Sequence, residues 1–458
     1  MASASPPPGL PWSSLRQTVA WMRRPRETAD RCLRDFGDVF TLRMFGEAYA
    51  LHAEPELIRE LVSQPAHVLA AGRANAMVAP LVGSASLLVL DGDEHLQTRR
   101  LMLPPLHGER MRSYEHTMRT VAEKSIARWP LEEAFPTLSR MQSITLDVIV
   151  EVVFGIVDTR RAADVRTAVR HLLKVGTSPR LLLAVGLRAG LTGRPPAEGD
   201  RALRKVNRAR RDLGRLLDAE ISRRRASGDD GGDRPDVLSM LLAARDEDGH
   251  PLETGYLRDQ LITLLVAGHE TTATSLAWAV ERIARHPDLQ DRLAAEALDG
   301  RSSLIDATIK ETLRARPALP IFMREVLEPV EIGGYRYEPG ALVGGAAIAL
   351  HRRPDLYPDP DAFRPDRFLG DDAPGTYEWV PFGGGLRRCV GASFALLEMR
   401  VILAALLAER RLEPVDTRGE PIRRRGVVLA PGRGGEIRAP RRRSTRSVAV
   451  DPEHSHAR

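Results

Sequence analysis

A helical pattern of about 30 residues, from Thr254 to Arg285, constrains the fold more than any other part of the chain. Thr254 is a suitable N-cap, and Pro287 lies just past the end. At 1.5 Å per residue the helix would be about 45 Å long, enough to cross a whole domain. Its middle, Ala267-Gly-His-Glu-Thr-Thr272, is poor helix material and predicts a kink or bulge, features that are frequent at functional sites. An opened backbone could hold water beside the carboxylate and hydroxyl, as a proton relay needs, although a glycine kink with a solvated glutamate fits the same residues.

A second segment, Phe382-Gly-Gly-Gly-Leu-Arg-Arg-Cys389-Val-Gly391, places one cysteine between a glycine run and the helix-like stretch Ala392 to Leu407. The glycines allow a tight turn and close approach to a large flat ligand. A helix that begins behind the cysteine favours thiolate, and backbone N–H groups of the loop can hydrogen-bond the sulfur. Such a thiolate suits the axial position of a haem iron. A glycine-rich loop around a small core cysteine is the alternative.

This segment resembles the haem-thiolate signature of the cytochrome P450 family, F-x-x-G-x-R-x-C-x-G. The matching residues are Phe382, Gly385, Arg387, Cys389 and Gly391. The resemblance implies that Cys389 ligates the iron of heme b, that Arg387 pairs with a haem propionate, and that Phe382 packs near the thiolate. It also implies a mainly α fold with a small β-rich lobe, a triangular helical prism around a buried haem, formed by a single domain from residue 1 to residue 440.

The middle of the long helix resembles the family motif [A/G]-G-x-[D/E]-T. The resemblance implies that Glu270 is the acid of a proton relay. It implies that Thr271 steadies dioxygen and directs protons to its distal oxygen. His269 fills the variable position of the motif and receives no role.

Three further residues are candidates to bind haem propionates. His95 and Arg99 match an H-x-x-x-R pattern on a family helix that contacts a propionate, although two polar residues on one helical face could equally lie on the surface. Arg324 stands where many relatives place another propionate arginine. Arg73 is the one obvious charge in the apolar segments expected to contact substrate, and either a substrate carboxylate or solvent would suit it.

A scaffold is expected from Glu311 and Arg314, which resemble the family's E-x-x-R and share a helical face. The resemblance implies that both join Arg367 of an F-x-P-x-R-F segment in a structural cluster. Residues 303–306 resemble a capping box that opens the helix. The connection of residues 290–303 before this helix is shorter than is usual in the family.

Bulk properties restrict the location and the partners. The formal net charge is +6, and nearly all of the basic residues are arginine. No nucleic-acid-binding motif accompanies this charge, so we expect no nucleic-acid partner. No run of 18 apolar residues is present, which predicts no membrane anchor. Cys32 and Cys389 show no pairing pattern, which favours a reducing cytoplasm. Residues 441–458 are polar, basic and aperiodic, so we expect a disordered tail.

The remaining pattern predicts helices separated by short strands and loops. Residues 70–90 suit a loop with a short helix over a pocket, and residues 176–200 and 228–232 also suggest loops. Strands are expected at residues 38–44, 49–52, 330–332 and 335–337. Further helices are expected at residues 55–63, 94–101, 109–129, 138–153 and 200–225.

Taken with the resemblance, these features predict a monomeric monooxygenase of secondary metabolism. It would insert one oxygen atom from O₂ into a lipophilic small molecule, a terpenoid, fatty acid or polyketide. With no fused reductase, electrons would come from a ferredoxin and a ferredoxin reductase, docked on a basic patch of Arg388, Arg100 and Arg112. A peroxide-driven peroxygenase and a non-catalytic haem sensor are the alternatives. Peroxygenases generally lose the acid–threonine pair, whereas Glu270 and Thr271 are present.

Overall fold

The computed structural model describes residues 5–155, 159–178, 181, 200–228, 234 and 236–442. Helices dominate this part of the chain. In chain order they are α1 (Ser14–Arg23), α2 (Pro25–Phe36), α3 (Pro55–Ser63), α4 (Ala71–Ala74), α5 (Ala79–Val82), α6 (Gly92–Met102), α7 (Arg110–Ile126), α8 (Thr137–Phe154), α9 (Thr159–Gly176), α10 (Arg204–Ala226), α11 (Val237–Ala243), α12 (Thr254–Ala284), α13 (Pro287–Leu298), α14 (Ser303–Ala315), α15 (Ala347–Leu350) and α16 (Ala392–Glu409). Short 3₁₀ turns occupy Ala76–Val78, Pro104–Leu106, Arg201–Leu203, Pro365–Phe368 and Gly385–Arg387.

The strands are short. They are β1 (Val39–Met44), β2 (Glu47–His52), β3 (Leu69–Ala70), β4 (Phe135–Pro136), β5 (Phe322–Val326), β6 (Val330–Ile332), β7 (Tyr335–Tyr337), β8 (Leu342–Gly345), β9 (Glu413–Pro414), β10 (Ile422–Arg425), β11 (Val428–Pro431) and β12 (Glu436–Arg438). The largest sheet has the order β1-β2-β8-β5-β3, with β2 and β8 parallel and the other pairs antiparallel. The expected β-rich lobe is therefore built around strands from both halves of the chain.

Local sequence signals explain the elements that were predicted well. Helix α3 begins with Pro55 in its first turn, and the Glu54 carboxylate accepts a hydrogen bond from the Leu57 N–H at 2.9 Å. Phe45 and Gly46 both have positive φ angles, which suits the tight turn between β1 and β2. Gly155 ends α8 in the left-handed conformation.

Helix α12 lies in the middle of the helical layer, where it packs most extensively against α8 and also contacts α10, α14, α16 and β11. Leu261, Ile262, Leu276 and Trp278 are completely buried. A helix that is apolar on all sides belongs in the interior of a large domain. Because α12 is surrounded on all sides, its middle can face only an internal space.

Two expected helix starts differ from the structure. The N-cap of α12 is Glu253, and Thr254 is the first helical residue. Helix α14 has no capping box within its own first turn. Instead the buried Glu296 of α13 accepts hydrogen bonds from the Leu304 and Ile305 N–H groups, both at 2.9 Å. The short connection before α14 is thus itself a helix, and it supplies the cap from its side.

Helix α12 has no π-turn or interruption at the segment expected to kink or bulge. Residues Thr254–Ala284 remain α-helical throughout, including the Ala267–Thr271 segment. The Thr271 hydroxyl donates to the Ala267 carbonyl at 2.7 Å, the usual way for a helical threonine to satisfy its hydroxyl within its own helix. The relay residues are therefore presented by an intact helix.

Among the described residues, none of the helices combines the length and the apolar character needed to cross a bilayer. Arg441 bridges to Arg410, and the Arg442 backbone N–H donates to the Glu409 carbonyl at 2.9 Å, so order extends two residues past the expected domain end. The rest of the expected tail, residues 443–458, lies outside the described residues. So do residues 182–199 and 229–233, which hold most of two expected loops.

Candidate active site

The cysteine segment forms a tight loop between the 3₁₀ turn Gly385–Arg387 and helix α16. The Cys389 N–H donates to the Phe382 carbonyl, and the Arg388 N–H donates to the Gly385 carbonyl, both at 3.0 Å. Gly385 has φ +61°, and a Cβ there would collide with the Val62 carbonyl oxygen of α3. Glycine is therefore needed at this position both for its backbone angle and for the close approach to α3.

The Cys389 residue is accessible although the protein around it is dense. The residue is exposed, yet desolvation by the surrounding protein raises the pKa of its thiol. The Gly391 N–H and the charges of Arg388 and Arg99 act in the opposite direction and lower the pKa, as expected for a cysteine ahead of a helix, but desolvation outweighs them. An accessible but desolvated sulfur fits a position inside the fold that a ligand can reach.

Three arginines and a histidine lie beside the cysteine loop. His95 and Arg99 project from α6, Arg324 lies on β5, and Arg387 belongs to the cysteine loop. Burial, followed by the charges of Arg387, Arg99 and Arg324, lowers the pKa of His95 to about 3. Burial and then Arg387 lower the pKa of Arg324 to about 10. The charges of Arg387, Arg99 and Arg324 all act on His95, so these four side chains belong to one neighbourhood.

Arg99 also supports the cysteine loop directly. Its Nη1 donates to the Arg388 carbonyl at 2.7 Å. Arg324 is only 8% exposed, and its Nη1 donates to the carbonyl of its own neighbour, Met323, at 2.8 Å. No carboxylate of the described residues lies within ion-pair distance of Arg324. A guanidinium buried in this way suits an anionic group of a ligand.

Asp91 supplies the only carboxylate in ion-pair contact with this cationic group within the described residues. It accepts hydrogen bonds from the Gly72 N–H at 2.7 Å and the Arg73 N–H at 2.9 Å, and from the Arg387 guanidinium. Arg387 also donates to the Leu90 carbonyl. No motif of the sequence marks Asp91. Its place just before α6 suggests a helix cap, whereas its side chain binds the backbone of residues 72–73.

Arg73 points away from this site. Its guanidinium is 63% exposed and pairs with Glu325 at 3.6 Å. Of the two readings of Arg73, the structure supports the surface position.

The middle of α12 supplies the acid–hydroxyl pair. Val266, Ala267, Gly268, Glu270 and Thr271 are partly accessible within a helix that is otherwise mostly buried. This change in burial marks the stretch that faces the internal space.

Gln142 of α8 holds the Glu270 carboxylate. Its Nε2 lies 3.1 Å from Glu270 Oε1 and 2.9 Å from Oε2. The contact joins two helices, so no pattern within either segment could have revealed it. His269 faces the same neighbouring helix: it is buried, and its Nδ1 lies 2.8 Å from the Thr145 hydroxyl. Burial, then Arg170, lowers the pKa of His269 to about 4, in keeping with a packing residue that has no role in the relay.

The expected scaffold cluster is present. Arg314 and Glu311 are completely buried and form a two-pronged ion pair, with Nε–Oε2 at 2.7 Å and Nη2–Oε1 at 2.9 Å. Arg367 Nε lies 3.7 Å from Glu311 Oε1, and the Arg364 N–H donates to the same oxygen at 2.8 Å. Arg314 also donates to the carbonyls of His351, Pro360 and Ala362. The cluster joins α14 to the loop of residues 351–367.

These features fit a flat, iron-containing cofactor with two carboxylates. The described residues offer an accessible sulfur, a group of arginines with Asp91 as its paired carboxylate, and an acid with a hydroxyl on a mostly buried helix. The packing near the loop is also aromatic, because Phe382 packs edge-on against Trp379 at 5.9 Å between ring centroids. The arrangement can therefore bind a metal through sulfur, pair with acidic groups at one edge, and move protons from α12.

Comparison with known proteins finds relatives along most of the chain. The family model described as Cytochrome P450 matches residues 6–436. The putative cytochrome P450 135B1 of Mycobacterium tuberculosis (strain ATCC 25618 / H37Rv) is 40% identical over 452 residues, covering 97% of this chain and 93% of that protein. The putative cytochrome P450 137 of the same strain is 37% identical over 441 residues, covering 94% and 90%. A solved structure of retinoic acid bound cyanobacterial CYP120A1 matches with TM-score 0.80 at 24% identity, covering 96% of this chain and 100% of that chain, and supports the fold.

Proposed function

The chain belongs to the cytochrome P450 family of haem-thiolate monooxygenases, and from this premise we propose which of its residues carry the reaction. Cys389 would bind the haem iron through its sulfur. His95, Arg99, Arg324 and Arg387 would hold the haem propionates. The observation that carries this proposal is the group of arginines beside the cysteine loop. Arg99 donates to the Arg388 carbonyl, and within the described residues Asp91 is the one carboxylate that pairs with Arg387. Phe382, Gly385 and Gly391 shape the loop.

The haem, when bound, supplies the activation of O₂ and the transfer of one oxygen atom to the substrate. The protein's own part is to deliver protons. Glu270 holds a proton at its carboxylate, and the Gln142 amide fixes the orientation of that carboxylate. The Thr271 hydroxyl, which now donates to the Ala267 carbonyl, turns toward the cleft to donate there. Glu311, Arg314 and Arg367 act as scaffold and touch no reacting atom.

The substrate is a lipophilic small molecule, a terpenoid, fatty acid or polyketide. Support comes from the apolar side chains of residues 71–90, 264–271 and 319–323, the segments expected to contact it. The reaction is hydroxylation of a C–H bond or epoxidation of a C=C bond. The enzyme works as a cytoplasmic monomer in secondary metabolism, with residues 1–440 as one domain; the two unpaired cysteines, Cys32 and Cys389, are consistent with that compartment.

Electrons come from a ferredoxin and its reductase. Arg388, Arg100 and Arg112 are exposed and provide positive charge for an acidic donor. A peroxide-driven reaction is the second candidate. It would need neither the Glu270–Gln142 contact nor electron donors, so dependence of turnover on NADPH and the ferredoxin pair separates the two.

The decisive experiment is the spectrum of the reduced CO complex. The wild-type protein should show the red-shifted Soret band of thiolate ligation, and Cys389→Ala should lose it. Cys32→Ala is the matched control, since Cys32 is the other free cysteine and is completely buried between α2 and its neighbours. It should retain the band. A wild-type spectrum of the histidine-ligated type would refute the proposal.

A further inference from the structure

A buried glutamine joins α12 to the loop that precedes α6. Gln260 is completely buried, and its side-chain amide uses both of its ends on the loop backbone. Its Nε2 donates to the Ala85 carbonyl, and its Oε1 accepts from the Leu87 N–H at 3.1 Å. Ala85 and Leu87 are alternate residues, so one amide satisfies a donor and an acceptor on the same edge of the loop. We call residues 83–91 the clasped loop.

Two neighbours of Gln260 strengthen this attachment. The Thr263 hydroxyl lies 2.7 Å from the Ser86 hydroxyl, and both residues are buried. The Asp259 carboxylate accepts from the Ala85 N–H at 3.3 Å. It also lies against Gly83, which has φ +99° and where a Cβ would collide with the carboxylate. Release of the clasped loop from α12 would break the hydrogen bonds that Gln260, Thr263 and Asp259 make with it.

The opposite side of the clasped loop binds the cysteine loop. Arg387 donates to the carbonyls of Leu87, at 3.4 Å, and Leu90, and it pairs with Asp91. Leu87 is therefore held from both sides, with its N–H on Gln260 and its carbonyl on Arg387. The clasped loop is a bridge of hydrogen bonds between α12 and the residue next but one to Cys389.

The attachment lies on the face of α12 that carries the acid–hydroxyl pair. Gln260, Thr263, Ala267 and Thr271 are spaced by three or four residues, which places them along one stripe of the helix. The clasped loop thus binds the stripe of α12 that continues, two turns further along, to Thr271.

We propose that Gln260 is a positioning residue that fixes the clasped loop over the substrate cleft and, through Leu87, sets the position of Arg387. This inference rests on the proposed function for the identity of the cleft. It adds that Gln260 supports both the loop that orients the substrate and the arginine that binds the cofactor. It also adds that residues 83–91 stay closed while substrate enters. The hydrogen bonds of Gln260 and its neighbours do not involve the substrate, so this role is the same for any lipophilic substrate.

The test measures amide hydrogen exchange in the haem-loaded protein, resolved to single residues in the clasped loop. In Gln260→Met, which keeps the side-chain length but removes both hydrogen bonds, exchange at the Leu87 N–H should rise by about tenfold or more. Gln260→Glu keeps an acceptor for Leu87 but loses the donor to Ala85. Its exchange rate should lie between those of the wild type and Gln260→Met. Unchanged Leu87 exchange in Gln260→Met would overturn the proposal.

The chain offers a matched control in Gln290. This glutamine of α13 is also buried, and its amide donates to the Leu412 carbonyl at 2.9 Å and accepts from the Leu412 N–H at 2.6 Å. Gln290→Met should speed exchange at Leu412 and leave Leu87 unchanged. An equal increase at Leu87 in Gln290→Met would mean general loosening and would overturn the assignment to Gln260.

A second readout separates positioning from plain stability. Gln260→Met should release more than one product from a substrate that the wild type converts to one, and should raise KM more than it lowers kcat. Gln290→Met should keep the wild-type product. If Gln260→Met fails to fold, Ser86→Ala decides. It removes the Thr263 contact and the acceptor of the Leu88 N–H, so the readout is exchange at Leu87. Faster exchange at Leu87 supports the proposal, and unchanged exchange at Leu87 refutes it. The exchange measurement needs no turnover, whereas the CO spectrum tests the proposed function separately.

Discussion

Replacing Arg314 with methionine should be one of the most destabilising single changes in the chain. The guanidinium is completely buried and gives the Glu311 carboxylate two hydrogen bonds, of 2.7 and 2.9 Å. It also supplies donors to three carbonyls of the loop of residues 351–367. Methionine fills much of the same volume, so the loss is mainly electrostatic.

The size of the loss in unfolding free energy depends on the partners that Glu311 keeps. Glu311 keeps the Arg364 N–H at 2.8 Å and Arg367 at 3.7 Å, so its charge is not left wholly alone. Breaking a buried ion pair on one side costs about 3–5 kcal/mol, and the remaining partners favour the lower end of that range. An effect of about 3 kcal/mol corresponds to roughly a hundredfold change in the folding equilibrium, since about 1.4 kcal/mol is tenfold. Arg314→Lys should lose less stability, because lysine keeps the positive charge although it cannot form the two-pronged contact with Glu311.

The assay is urea unfolding of the haem-loaded protein, followed by far-ultraviolet circular dichroism and by haem absorbance. Arg292→Met is the matched control, since Arg292 pairs with Asp366 of the same loop at 3.0 Å but both side chains are more than half exposed. That pair should contribute less than about 1 kcal/mol. The reasoning fails if Arg314→Met unfolds at the wild-type urea concentration, or if the control is equally destabilised.

Three further predictions concern turnover. Thr271→Ala should keep the haem spectrum but divert electrons, so that NADPH consumption continues while product falls and peroxide rises; normal coupling would remove Thr271 from the relay. Glu270→Gln should slow product formation by about 10²- to 10⁴-fold. Gln142→Leu should slow it less, because the Glu270 carboxylate remains but loses its amide partner. Stopped-flow rates and product yields measure both effects, and a wild-type yield in Gln142→Leu would show that this contact is not needed. Reduction by an acidic ferredoxin should slow as salt rises and slow further in Arg388→Glu, and rates that ignore both changes would place the docking site elsewhere.

Local signals in the sequence were sufficient where one short segment determines the structure. Helix α3 has the predicted bounds, because the proline in its first turn and its apolar spacing lie within nine residues. The hairpin β6–β7 follows from Gly333 and Gly334, which both adopt positive φ angles between two short apolar strands. Such elements need no knowledge of their neighbours.

The predictions failed where a distant group supplies the hydrogen bond. The cap of α14 comes from Glu296 on the preceding helix, so the capping-box pattern of residues 303–306 was misleading. The middle of α12 is different, since its expected bulge is absent and its hydrogen bond is local: the Thr271 hydroxyl donates to the Ala267 carbonyl of the same helix. The family signatures located Glu270 and Arg387, while their partners Gln142 and Asp91 belong to other elements and have no signature of their own.

The parallel pairing of β2 with β8 has a consequence for how the protein is made. The hairpin β1–β2 pairs locally, but the next strand of its sheet is separated from it by about 290 residues of sequence. At a ribosomal rate of about 5–20 residues per second, roughly 15–60 seconds pass between synthesis of the two partners. During that interval the β2 edge has unpaired backbone groups, and edges of this kind promote association between nascent chains. The large sheet therefore forms late, and the nascent hairpin is the segment for which a chaperone would matter most.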